Sequence, residues 1–127
     1  MQFSAPVKQH KYEPVELSRQ DFEKLLANNP GKIILKFGAE WCGPCKRIEA
    51  LVNQWFNVLS SNQSINCFMI DVDESFDLYG AFKSKRQING IPAIMCFNKG
   101  NLSYIPDANV VGADVNQINM FFNSINK

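Results

Sequence analysis

Apolar positions along the chain alternate between compact runs and spaced stripes. The run Lys32-Ile33-Ile34-Leu35-Lys36-Phe37, set off upstream by Asn29-Pro30-Gly31, predicts a strand rather than a helix. Beyond it, Ile48, Leu51, Val52, Trp55, Phe56 and Leu59 recur at three- and four-residue spacing, the stripe of an amphipathic helix. Upstream, residues 14–17 predict a short edge strand with Pro14 at its first position. Ser18 then reads as a helix cap whose hydroxyl accepts the Asp21 N–H, with Phe22, Leu25 and Leu26 inward and the turn formers Asn28 to Gly31 as the stop. Downstream, residues 65–72 predict a strand containing Cys67. Residues 74–82 predict a short helix with Phe76, Leu78, Tyr79 and Phe82 near helical spacing. Residues 93–97 read as a buried strand, Asn98-Lys99-Gly100-Asn101 as a hairpin turn, and residues 102–105 as its partner strand. Asp114 fits the cap of a last helix, with Gln117 at the third helical position and Ile118, Phe121, Phe122 and Ile125 inward.

Strands alternating with helices imply parallel pairing through right-handed crossovers, and a closing hairpin adds an antiparallel part. The expected class is α/β, a central mixed five-stranded sheet flanked by about four helices. Residues 14–127 form the expected domain. Residues 1–13 lack periodicity and are expected to be a flexible arm, with His10 a solvated tail residue.

Size and charge narrow the function. A chain of 127 residues with 46% hydrophobic and 20% charged content has the profile of one globular domain. A net charge of +1 gives no general attraction to nucleic acid or to an anionic membrane. No stretch approaches the roughly 20 apolar residues that span a bilayer, nor does the start offer a signal-peptide core. A cytoplasmic, reducing location is therefore the expectation.

The chemistry concentrates in Trp41-Cys42-Gly43-Pro44-Cys45, where the strand pattern gives way to the helical one. Cys42 falls at the helix start, where unpaired amide N–H groups and the positive end of the helix dipole favour a thiolate. Cys45, about one turn on, is expected to face inward beside it. Pro44 fits the first turn, whose N–H groups have no intrahelical partner, and Gly43 keeps the approach to Cys42 clear. A metal knuckle is the competing reading, but zinc in a structural site wants four ligands, and Cys67, Cys96 and His10 are scattered on core strands and the tail. Cys67 and Cys96 read as buried small apolar residues. Trp41 reads as the rim of a substrate surface, and Trp55 as structural.

Trp-Cys-Gly-Pro-Cys after a strand resembles the active site of the thioredoxin family, a resemblance that spans residues 14 to 126. It implies the thioredoxin fold and protein disulfide reduction by dithiol–disulfide exchange. Cys42 would be the nucleophile, Cys45 the resolving thiol, and the two would form the redox disulfide. No bound cofactor or metal is implied. Electrons would come from a separate reductase of the thioredoxin-reductase type, the partners would be disulfide-containing proteins, and the chain would be a monomer. Gly90-Ile91-Pro92-Ala93 resembles the segment in which a cis-proline faces the cysteines, so Ile91, Pro92 and the groove glycine Gly112 join Trp41, Gly43 and Pro44 as expected substrate-binding residues. An interaction subunit that docks a partner through this groove without turnover is the alternative.

Two positions depart from the family. Lys36 stands where a buried aspartate is usual, and Met69 where its lysine partner is usual. Lys36 either snorkels to the surface or forms a charge-reversed pair with Glu49, which lies four residues after Cys45 on the same helix face. In the second case Glu49 is the expected proton acceptor for Cys45. A cation at position 36 also favours thiolates and predicts a reduction potential less negative than the about −270 mV of thioredoxin. The basic run Lys83, Lys85 and Arg86 reads as a solvated loop, with selection of acidic partners as the functional alternative.

Overall fold

A computed structural model describes residues 9–126. Five strands form one sheet in the order β1-β3-β2-β4-β5, namely β1 (Pro14–Val15), β2 (Lys32–Gly38), β3 (Ile65–Asp71), β4 (Ala93–Asn98) and β5 (Ala108–Val111). β3 runs parallel to β1 and β2, while β4 runs antiparallel to β2 and β5, as the alternating pattern requires. The helices are α1 (Arg19–Ala27), α2 (Gly43–Arg47), α3 (Glu49–Leu59), α4 (Phe76–Ser84) and α5 (Val115–Ile125).

The central strand β2 fills both layers. Ile33, Leu35 and Phe37 pack with Phe22 and Leu26 of α1 and Leu78 and Phe82 of α4. On the other face, Ile34 packs with Val52 and Phe56 of α3 and Ile118 and Phe122 of α5. Burying each large side chain of this kind contributes about 2 kcal/mol. Lys36 shares a strand face with Ile34, so it points to the α3 side of the sheet.

Local signals explain the helix starts. Ser18 accepts from the Asp21 amide at 3.0 Å and Asp21 returns a bond to the Ser18 amide at 3.0 Å, a reciprocal cap. These bonds hold the Asp21 carboxyl below the usual carboxylate range. Asp114 accepts from the Gln117 amide at 3.1 Å and starts α5.

Four expectations need correction. The stripe after the cysteines is two helices rather than one, because Ile48 leaves helical geometry (φ −103°, ψ 1°) while its side chain stays buried. Residues 102–105 are not a strand. Asn101 ties this stretch into a turn, donating to the Ile105 carbonyl and Asp107 and accepting from the Ser103 amide. Tyr104 there packs against Phe22 and Phe82, and pairing resumes only at β5. Lys83 belongs to the last turn of α4 rather than to a loop, where a cation meets the negative end of the helix.

The fourth correction concerns the expected arm. Residues 1–8 lie outside the described residues, but His10 and Tyr12 are tied to α3. The Tyr12 amide donates to Asn53 Oδ1 at 2.8 Å, its hydroxyl donates to Ser60 Oγ at 2.8 Å, and its ring meets Phe56 edge-on. Asn57 and Asn53 both donate to the His10 carbonyl. The asparagines on the polar side of α3 supply what the arm's aperiodic sequence does not show.

Candidate active site

Strand β2 ends at Gly38, the chain turns through Ala39 and Glu40, and α2 begins at Gly43 with Cys42 as its cap. Cys42 and Cys45 are joined as a disulfide, with Cα atoms 5.3 Å apart. The Cys45 amide donates to Cys42 Sγ at 3.2 Å, so one N–H of the first turn is spent on the sulfur. That is the donor a thiolate at this position would use. Pro44 occupies the first turn as expected. A side chain at Gly43 would project into open space.

Exposure is more restrictive than the sequence suggests. Cys45 is 2% exposed and Cys42 only 5%, so a substrate disulfide meets a narrow edge of sulfur. Around that edge, Gly43 and Pro44 are exposed, and Trp41 is 69% exposed. The indole is held from below, its Nε1 donating to Asp73 Oδ2 at 2.8 Å. Asp73 was not singled out by sequence reasoning. The acidic cluster Asp71-Val72-Asp73-Glu74 closing β3 is the signal that could have found it.

The proline segment takes the expected backbone form. The Ile91–Pro92 bond is cis, Ile91 is half-buried and Pro92 is buried. Gly112 donates its N–H to the Pro92 carbonyl at 2.8 Å with φ +100°, a backbone geometry that favours glycine. These residues are therefore joined directly.

Beneath the cysteines, Lys36 is only 5% exposed. A Cβ at Gly38 would stand 2.9 Å from Lys36 Nζ and 3.5 Å from Cys45 Sγ, so the amine and the resolving sulfur share the space over that glycine. Both line a cleft of about 80 Å³ together with Glu49. The expected Lys36–Glu49 ion pair is not formed. Lys11–Glu13 at 3.7 Å is the one ion pair among the described residues, and Glu49 lies exposed on α3. Burial lowers the Lys36 ammonium below its ordinary value, and the Glu49 charge raises it in part from a distance. Among the described residues no group of three or more His, Cys, Asp or Glu is placed to hold a metal.

Known proteins share this arrangement. The family model for Thioredoxin matches residues 13–124. The chain belongs to the thioredoxin family. It is 34% identical over 100 residues to a thioredoxin of Mycoplasma pneumoniae, covering 74% of this chain and 89% of that one. It is 39% identical over 72 residues to thioredoxin-1 of Caenorhabditis elegans, covering 56% of this chain and 60% of the relative. The solved structure of Trichomonas vaginalis thioredoxin superposes with a TM-score of 0.69 at 22% identity, over 90% of this chain and 96% of the other. As a thioredoxin-family member the chain is a thiol–disulfide oxidoreductase, with Cys42–Cys45 as its redox disulfide.

Proposed function

We propose that this thioredoxin-family chain reduces protein disulfides in the cytoplasm and is itself reduced by a separate reductase of the thioredoxin-reductase type. The observation that carries the reading is the Cys42–Cys45 disulfide at a helix start, next to an exposed Trp41. Cys42 thiolate attacks a substrate disulfide and displaces one substrate thiolate, leaving a mixed disulfide. Cys45 then attacks Cys42 Sγ, forms the internal disulfide and releases the second substrate thiolate. Cys42 caps α2 while Cys45 lies inside its first turn, and attack is assigned to Cys42 and resolution to Cys45.

Substrate lies across the edge formed by Trp41, Gly43 and Pro44 on one side and Ile91, Pro92 and Gly112 on the other. An extended substrate segment can pair with the backbone of Ile91 there, the way a strand adds to an open edge. No cofactor is assigned, and the chain acts as a monomer. Insulin reduction by wild type beside Cys42→Ser tests the reading. Loss of turnover with the thiol is expected, and turnover that survives would remove it.

The buried cation adds a finer expectation. An ammonium over Gly38 favours the thiolate of Cys45, stabilises the dithiol, and makes the disulfide more oxidising than the about −270 mV of thioredoxin. Equilibration against a glutathione buffer checks this, and a value equal to or below that figure counts against it.

A further inference from the structure

Helix α4 breaks two local rules, and both breaks lie on its outer surface. Gly80 stands in the middle of the helix, where glycine is less favourable than alanine because it has more backbone freedom to lose. It is exposed, and a side chain there would project into open space, so nothing in the fold requires the missing carbon. At the helix end, Gln87 donates its N–H to the Phe82 carbonyl at 2.9 Å and Arg86 donates to the Lys83 carbonyl at 3.0 Å. This paired closure puts Arg86 at φ +59°, where glycine is usual and a long side chain is strained. Alanine at position 80 and glycine at position 86 would each make a better helix. Local costs of this kind, with no return inside the fold, mark a surface kept for another purpose.

The surface they share has definite chemistry. Phe76, Gly80 and Lys83 recur at four- and three-residue spacing on one side of the helix, opposite the buried Leu78, Ala81 and Phe82. Phe76 is 73% exposed, Gly80 leaves a gap, and Lys83, Lys85 and Arg86 follow, all exposed. Lys83 lies over the Tyr79 ring and Lys85 over the Tyr104 ring, 5.5 and 5.0 Å from the centroids, so both ammonium groups are held in place. None of the three cations is in an ion pair among the described residues. The carboxylates beside them are engaged elsewhere, Asp77 accepting the Arg19 amide at 3.0 Å and Glu23 the Tyr104 hydroxyl at 2.8 Å. The strip begins at the cysteine end of the molecule. There Asp71 pairs with Gly38, Asp73 holds Trp41, and α4 opens with Phe76. The helix then runs away from the cysteines until Phe82 meets Phe97 and Tyr104, and Phe76 to Lys83 spans about 10 Å.

Building on disulfide exchange with protein substrates, we propose that the outer face of α4 is a docking strip for the protein being reduced, taking a segment that is apolar over Phe76 and acidic over Lys83, Lys85 and Arg86. An apolar side chain of that segment packs on the Phe76 ring, its backbone approaches the helix closely at Gly80, and its carboxylates meet the three cations. An anionic bilayer is the poorer occupant, because three cations and one exposed ring give only weak adsorption. A protein already held at Cys42 makes the second contact within one complex, so a modest strip is enough.

The test uses the full chain with fluorogenic disulfide peptides that carry an acidic run before or after the cysteine. Matched peptides have lysine in place of each acid, and a small disulfide too short to reach α4 sets the baseline. Wild type is expected to show a KM for one acidic peptide about tenfold or more below that of its lysine counterpart, a gap that narrows as salt rises. Gly80→Ala and Arg86→Gly are each expected to raise the melting temperature by a few degrees. Each is also expected to raise the acidic-peptide KM relative to that of the small disulfide by about threefold or more at constant kcat, and Lys83→Glu to raise it further. A purely structural role would not weaken binding in a stabilised protein. Stabilisation with an unchanged KM ratio, or equal KM for acidic and lysine peptides, overturns the proposal. A fall in melting temperature in both variants also overturns it, by giving the two residues a structural reason. Sedimentation of wild type with phosphatidylserine vesicles that is lost in Lys83→Glu assigns the strip to a bilayer and overturns it as well. Absence of turnover with every substrate, the small disulfide included, sinks the exchange reading and the strip with it, whereas turnover without discrimination sinks the strip alone.

Discussion

Two pairs of cysteines in one small fold have opposite chemistry. Cys42 and Cys45 sit where a strand ends and a helix begins, three residues apart in sequence and bonded. Cys67 and Cys96 are free and buried, and they stand on either side of Ile34, which pairs with Cys67 of β3 and with Cys96 of β4. Two strand spacings separate that second pair, about 9 to 10 Å, beyond the reach of a disulfide. Burial pushes the Cys67 thiol up to about 12 and the Cys96 thiol to about 11. Reactivity thus follows the backbone around the sulfur. A turn brings two sulfurs together and offers an amide, whereas a ladder holds them apart among apolar side chains.

The largest test of that contrast is function. Cys42→Ser is expected to abolish insulin reduction, while a Cys67→Val, Cys96→Ala double variant keeps the wild-type rate within about twofold. Loss of turnover in the double variant would break the comparison. Next comes thiol trapping of the reduced protein with iodoacetamide. A shift of the Cys67 thiol from 9.0 to about 12 cuts its thiolate fraction about thousandfold. Mass spectrometry is expected to find Cys42 labelled in the native state and Cys67 and Cys96 labelled only after denaturation.

Alkaline stability gives a smaller effect with a definite sign. Above 9.0 the unfolded chain releases the Cys67 and Cys96 protons while the folded chain keeps them to about 12 and about 11, so stability falls as pH rises through that window. Lys36 acts in the opposite sense. Its folded value is lowered from 10.5, so the folded state sheds its proton first, and its contribution rises with pH up to that value. Denaturant melts at stepped pH are expected to show a shallower alkaline decline in Cys67→Val and a steeper one in Lys36→Met. The smallest effect concerns the rim. Asp73→Ala frees the Trp41 indole and is expected to raise KM for a protein disulfide by a few-fold, about 1 kcal/mol or less, with little change for a small disulfide.

Much of this was legible in the sequence because it is written locally. The β2 run, the Ser18 and Asp114 caps and the Trp-Cys-Gly-Pro-Cys string each specify their own surroundings within a few residues. Pro92 and Gly112 were singled out through family resemblance, and the Gly112 N–H donates to the Pro92 carbonyl. What escaped depends on partners distant in sequence. Tyr12 is fixed by Asn53 and Ser60, more than forty residues away, and Trp41 by Asp73 just beyond the neighbouring strand's end. The 102–105 stretch has strand-like apolar residues, but the Asn101 side chain satisfies the local carbonyl and amide groups that a ladder would need. The Lys36–Glu49 pair was expected from helical spacing together with the family resemblance, which fix a face but not a reach.

Residue 38 carries only a hydrogen where every other amino acid would carry carbon, and a methyl there would press on the Lys36 amine at 2.9 Å. Because that amine is the tip of a long flexible chain, it would yield before the sheet did. Gly38→Ala therefore acts as a displacement lever: it would shift the cation away from the resolving sulfur while leaving every cysteine in place, tuning redox poise through shape instead of through charge.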